Sequence, residues 1–415
     1  MTRGISVVLL GGVVVAWAAL PHAQAQVQPQ TPAQVVAPAA EPSLRTVPAQ
    51  LSDAEFWTMR DAMSEPPGEF RSENLVSNET MFQWPIPELV KTVSPGAVYM
   101  GVAPDQNFTY LAALKPTMAF IVDIRRGNVL QHLLYKALFE MSADRAEFAA
   151  RLFSMPKPAG ITATSNAREL FDAIYIQKAD PKLFEANKRA VLDRLVTKHG
   201  FSLSAADQEQ LNWIYSCFYN FGPDLTYQTC VPPPGIGGFG GGGGFGGRGG
   251  GRFGGGFGGG FGGAFRSFAD MQVQTDAAGA QHAYLATEAN YQWMKGFEAK
   301  NLLVPVTGDF MGPKAIRAVG TWVREHGAIV GTFYTSNVEQ YLFQSTTWGH
   351  FYGNVATLPL DNGSVFIRSV PSNNVMPAQP GARAASMLCS ITDLVKAFAA
   401  GEIRGYSDVI RFSRQ

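Results

Sequence analysis

"GVAPDQNFTYLAALKPTMAFIVDIRRGN", Gly101–Asn128, is the stretch on which the fold turns. The apolar residues up to Val102 read as a strand, and Pro104-Asp105-Gln106-Asn107 as a tight polar turn. A short helix over "FTYLAAL" and a second strand over "AFIV" follow, with the acid Asp123 just past that strand. Nucleotide-binding α/β domains place their ligand at this kind of junction. Asp123 lies 22 residues after Gly101, near the distance at which an acid grips a ribose hydroxyl in that architecture. The turn, however, carries Pro, Asp, Gln and Asn where such domains carry glycines.

Outward from this unit, strands and helices alternate. Ser52 and Glu55 make a capping box for a helix at "LSDAEFW", and "IPELVKTV" forms a short helix leading into the first strand. From Asn128 the apolar stripe Val129, Leu130, Leu133, Leu134, Ala137, Leu138 and Met141 predicts a long helix, with a restart at "SADR". Residues 158–210 read mainly as helices. "NLLVPVTGDF" reads as a strand ending at Asp309, followed by a helix that Pro313 opens and Gly327 closes. "AIVGTFYTSNVEQYLF" reads as a strand running into a helix. "NVATLP" and "SVFIRSV" read as strands on either side of the turn Asp361-Asn362-Gly363, and a helix spans about 390–399. The pattern predicts an α/β fold with a mostly parallel sheet buried on both faces, a helical insertion and a C-terminal antiparallel hairpin.

The ends and composition narrow the function classes. An apolar run from Ile5 to Leu20 closes on Ala23-Gln24-Ala25, which predicts a signal peptide cleaved after Ala25 and export to the periplasm or beyond the cell. The expected organisation is signal peptide 1–25, Pro/Ala/Gln-rich spacer 26–50, one α/β domain over 51–234 and 265–415, and a disordered glycine-rich insert over 235–264. With 33 basic and 33 acidic residues, no net field argues for nucleic acid or an anionic membrane. No further apolar run is long enough to span a bilayer. Export permits disulfides, and Cys217–Cys230 is the best pairing of the three cysteines. No Cys/His cluster has metal-ligand spacing, so no metal is expected, and no G-x-S-x-G elbow suggests a hydrolase.

In an open α/β sheet, ligands bind outside the carboxyl ends of the strands. Four polar clusters fall there: Gly101 to Asn107, with Asp105 and Gln106; Asp123 with Arg125, Arg126 and Asn128; Asp309, Phe310 and Gly312; and Ser336, Asn337, Glu339, Gln340 and Tyr341. Plain structural readings stand beside these. Asn107, Asn128 and Ser336 suit helix caps, Asp123 suits a pair with Arg125 or Arg126, and Asp309 suits a cap for the Pro313 helix. "FRSENLVSNE" (70–79) brings Arg71, Glu73, Asn74 and Asn78 before the first strand.

This layout resembles the class I S-adenosylmethionine-dependent methyltransferase fold, over Ala97 to Asn128 and Leu302 to Val370. A closer resemblance is to a group of bacterial proteins of unassigned function, carried by "GVxPxQNFTY", "AFIVDIRR", "SADRAEF", "GDFxGPKA" and "SNVEQYL". The methyltransferase resemblance implies a Rossmann-like sheet and a cofactor turn at Gly101, Asp105, Gln106 and Asn107. It implies Asp123 with Arg125 at the ribose, and Asp309 with Phe310 at the end of the fourth strand. Asp309 and Asn337 then act on a small-molecule substrate, beside Phe310, Glu339 and Tyr341. The segment with Arg71, Glu73 and Asn74 forms a lid.

Two readings stay open at this point. One is a methyltransferase or close derivative using S-adenosylmethionine. The other is an exported ligand-binding protein that keeps the fold without methyl transfer, favoured by the missing glycines and by a compartment with no obvious supply of the donor.

Overall fold

The computed structural model describes residues 46–70, 72–232, 266–371 and 384–414. The expected signal peptide, residues 26–45 of the expected spacer, the glycine-rich insert and Arg71 lie outside the described residues.

Among these residues, six strands form one sheet: β1 (Val98–Gly101), β2 (Ala119–Asp123), β3 (Leu303–Thr307), β4 (Val330–Ser336), β5 (Val365–Pro371) and β6 (Ala384–Ser390). The order across the sheet is β3-β2-β1-β4-β5-β6. All neighbours are parallel except β5 and β6, which run antiparallel with Phe366 opposite Cys389. Every residue of β1, β2 and β3 is buried, as a sheet covered on both faces requires. Pro305 sits in β3 without disturbing the ladder because β3 is an edge strand with a partner on one side only.

Helices cover the two faces. α1 (Asp53–Met63) starts at the expected Ser52–Glu55 capping box, and α2 (Ile86–Thr92) precedes β1. α3 (Gln106–Leu114) joins β1 to β2, and α4 (Arg126–Met141) follows β2. α4 is buried on all sides from Gly127 to Phe139, because helices pack on the face turned away from the sheet. The chain restarts as a helix at Arg145, capped by Asp144, whose side chain accepts from Glu147 N at 2.8 Å. Helices Ala167–Tyr175, Pro181–Leu192 and Ala205–Phe221 fill the strandless stretch. Cys217, on the last of these, is bonded to Cys230.

The core behind α3 centres on Phe108, which meets Tyr135, Phe139 and Tyr284 edge-on at 5.2–5.5 Å between ring centres. A side chain so enclosed is worth about 3–5 kcal/mol relative to alanine. Among the described residues no helix is long and apolar enough to cross a membrane.

Two expectations need correction. The antiparallel pair is β5 with β6, not strands either side of Asp361-Asn362-Gly363. "NVATLP" belongs instead to helix Gly349–Val355 and the turn after it. Phe351 stacks on Phe310 at 5.3 Å, and Asn354 Nδ2 donates to the carbonyls of Phe310 and Gly312 at 2.8 Å. Such tertiary contacts decide a short apolar run that periodicity cannot. The strand before Asp309 and Phe310 is also the third in the chain, at the sheet edge beside β2. The fourth strand ends at Ser336.

Candidate functional site

The chain enters the sheet at β1, winds outward to β2 and β3, and returns to build β4 and β5 on the other side of β1. The direction of winding reverses between β1 and β4. At such a switch point the connections leave on opposite faces and open a crevice at the carboxyl ends of the strands.

The turn after β1 is fixed by side chains where other folds use glycine. Asn107 Nδ2 donates to the carbonyls of Val102, Ala103 and Pro104 at 2.9, 3.2 and 2.7 Å, and its Oδ1 accepts from Tyr99 OH at 2.8 Å. A Cβ on Gly101 would overlap Asn107 Oδ1, so a side chain at this position would displace that amide. Ala103 adopts a left-handed φ of 68°, an uncommon conformation that the surrounding bonds hold. Asn107 therefore does not cap α3. Asp105 occupies the cap position, but its side chain accepts from Gln272 Nε2 at 3.0 Å and Tyr284 OH at 3.4 Å. Burial pushes the Asp105 carboxyl up to about 7.

Asp123, the last residue of β2 and not the first past it, is closed from three directions. Oδ1 accepts from Arg125 N and Nε, both at 2.9 Å, and Oδ2 from Arg125 Nη2 at 2.6 Å and Ala103 N at 3.2 Å. Arg125 also donates to the carbonyls of Ser72 and Glu73, and Gln131 Nε2 to Leu75 O at 2.7 Å. The segment before the first strand thus lies across the ends of β2 and α4. Phe70 meets Tyr341 edge-on at 5.2 Å. Burial raises the Glu73 carboxyl while nearby Arg125 lowers it. Asn74, with a φ of 50°, turns the segment. His132, one helical turn past Asn128, holds Nε2 3.0 Å from Ala103 O. That fixes the proton on Nε2. Burial depresses the ring to about 4. Asn128 is 1% exposed and neither polar atom of its side chain has a partner among the described residues.

At the switch point itself stands Glu79, 4% exposed. Its Oε1 accepts from Tyr334 OH at 2.9 Å and from Ser336 Oγ, and its Oε2 from Gln106 Nε2 at 3.1 Å. The Ser369 hydroxyl, near the end of β5, lies close enough to act on the same carboxyl. Burial raises this carboxyl and the four groups oppose the rise. Ser336 has a φ of 54°, so the residues leaving β1 and β4 both turn through left-handed positions.

The predicted site residues divide into three groups. Gly101, Asp105, Gln106, Asn107, Asp123, Arg125, Glu73 and Asn74 gather around the ends of β1 and β2. Asn337, Glu339 and Tyr341 follow β4, where Ser336 Oγ reaches Asn337 Oδ1 at 3.4 Å. Glu339 is held there by Arg368, through Nε and through Nη2 at 3.2 Å, and by Tyr352 OH at 2.6 Å. Asp309 and Phe310 form the third group at the β3 edge. Asp309 N donates to Glu65 Oε2 at 3.1 Å, and Glu65 Oε1 accepts from Lys314 N and Ala315 N, so Glu65 caps helix Ala315–Glu325 in place of Asp309. Phe310 is core, packed on Phe333 and Phe351.

Sequence reasoning missed Glu79, Tyr334, Ser369 and His132. Glu79 sits in "SNET", which gives no hint that its carboxyl reaches residues 27 and 255 positions away. A surface recess of about 530 Å³ lies at the opposite, amino end of the strands, lined by Lys115, Thr117, Trp293 and Lys300 among others.

The profile of a domain of unknown function, DUF7790, matches residues 75–212 and 265–403, about two thirds of the chain. The chain belongs to the DUF7790 family. The match takes in Glu79, the β1–β2 unit and β3 to β6, and leaves out the glycine-rich stretch between its two parts. No curated protein matches the chain.

Proposed function

We propose that this DUF7790 protein is an exported, methyltransferase-like binding protein that takes a small molecule at the carboxyl edge of its sheet, in the crevice between β1 and β4, without using S-adenosylmethionine. The observation that carries this reading is the closure of Asp123. A bound ribose needs a carboxylate with free oxygens, and both oxygens of Asp123 are held by Arg125 and the Ala103 amide. Asn107 fills the space above Gly101 where a cofactor would approach the backbone. The residues present do not fit the adenosyl group. Export is supported by the Cys217–Cys230 bond, since disulfides persist in oxidising compartments.

Methyl transfer is the second reading. It is favoured by the strand order, with β1 central, β2 and β3 to one side, β4 and β5 to the other, and a reversed strand last. Calorimetry with S-adenosylmethionine and its demethylated product separates the two. The expected result is no heat with either, together with a non-adenosyl hit in a thermal-shift screen of metabolites. Saturable heat that Asp123→Ala abolishes would overturn the proposal and establish the second reading.

A further inference from the structure

Two of the buried carboxylates at this sheet edge are given arginines, while Asp105 has only the neutral Gln272 and Tyr284. Asp123 has Arg125 at the end of β2, and Glu339 has Arg368 beyond β4. Glu79 lies at the switch point between them and is as buried as either, yet no Lys, Arg or His among the described residues pairs with it. Its hydrogen-bond partners are neutral, one amide and two hydroxyls, with the Ser369 hydroxyl near by. An ionised carboxylate taken out of water without a cation is costly, and neutral donors recover only part of that cost. The surroundings also hold buried polar atoms without partners. Gln106 spends its amide N–H groups on Glu79 and Tyr334, leaving a buried Oε1 with no partner, and Thr80 Oγ1 beside Glu79 in sequence is likewise unpartnered. An uncompensated carboxylate beside a buried amide oxygen with no partner describes a site short of positive charge. The half-buried Ser336 and Asn337 lie next to it, and Ser336 holds a strained φ of 54° while its hydroxyl is spent on Glu79. That is the kind of backbone strain that marks ligand sites.

We infer that Glu79 anchors the cationic group of a small-molecule ligand, an amine or guanidine, in the crevice between β1 and β4. The inference rests on the proposed small-molecule reading and names the ligand's chemistry. An ammonium there donates to Glu79 and to Gln106 Oε1 together, satisfying both.

The test is thermal shift and calorimetry of the purified chain with putrescine, agmatine and spermidine, against the uncharged diol of putrescine's length and succinate. At least one cation should bind saturably where the diol and succinate do not. Glu79→Gln, nearly the same in shape, should weaken that binding roughly ten- to hundredfold, the worth of a hydrogen bond to a charged group. If Glu79→Gln does not fold, Asn337→Trp tests the same crevice from its half-buried side and should abolish the shift while the protein still melts cooperatively. Cation binding unchanged in either folded variant overturns the assignment, as does the absence of binding by all three cations. If neutral or anionic metabolites stabilise the protein and cations do not, the choice of ligand class fails while the binding reading stands. If nothing in a metabolite screen stabilises it, both fail.

Discussion

Arg125 meets Asp123 fork to fork, with Nε 2.9 Å from Oδ1 and Nη2 2.6 Å from Oδ2, and the same guanidinium reaches back to the carbonyls of Ser72 and Glu73. One side chain therefore joins the end of β2 to the segment that crosses it. The planar fork is needed for this, since an ammonium could not make the paired contact.

Arg125→Met leaves Asp123 buried with only amide donors. The expected loss is about 3–5 kcal/mol of unfolding free energy, because the residual charge is uncompensated. Asp123→Asn combined with Arg125→Met should recover much of it. Urea denaturation of the two single variants and the double variant measures the effect. A loss under about 1 kcal/mol for Arg125→Met would mean that water reaches Asp123, and would reopen it to a ribose.

Asp105 and His132 tilt stability in opposite directions with pH. Asp105 is raised by burial from its usual 3.8 to about 7. The fold holds that proton more tightly than the unfolded chain, so its contribution is full below 3.8 and is lost as pH climbs through 7. His132 is lowered by burial from 6.5 to about 4. The unfolded chain binds that proton more tightly, so stability falls as pH drops from 6.5 through 4. Relative to wild type, Asp105→Asn should gain stability with rising pH across this window, and His132→Gln should lose it. The full tilt is on the order of 4 kcal/mol for Asp105 and 3 kcal/mol for His132. Urea melts at several pH values test it; profiles parallel to wild type would show that neither group is shifted in the fold.

What could be read from the sequence follows the range of the interactions. The βαβ unit over Gly101–Asn128, the capping box at Ser52, the long buried helix after Asp123 and the strand-to-helix passage at Ser336 rest on contacts a few residues apart, and all stand in the structure. Helix Gly349–Val355 could not be read, because Phe351 and Asn354 are committed by Phe310 and Gly312, some forty residues earlier. The candidate site was half legible for the same reason. Asp123 stands out by its spacing, but Glu79 depends on Gln106, Tyr334 and Ser369, which only the sheet order brings together.

Glu65 illustrates the same limit and carries the last prediction. It lies just past α1, and its carboxylate takes three backbone amides at the β3 edge: Asp309 N at 3.1 Å, Lys314 N at 2.6 Å and Ala315 N at 2.9 Å. The helix Ala315–Glu325 has no side-chain cap from its own N-cap residue, Lys314, so its first amides depend on an acid about 250 positions earlier. A negative charge there also favours the helix dipole. Gly312 is the fitted partner, since a Cβ at that position would run into the Glu65 carboxylate. Glu65→Ala should cost about 1–3 kcal/mol through the unsatisfied amides. Gly312→Ala should destabilise by displacing the same carboxylate. The double variant has no carboxylate left to displace, so it should be less destabilised than the two single losses added, by 0.5 kcal/mol or more on the usual scale of coupled neighbours. Thermal melts of the four proteins complete the cycle. Strict additivity would mean that Gly312 is required for its own backbone, and that Glu65 does not hold the β3 edge in the way its contacts indicate.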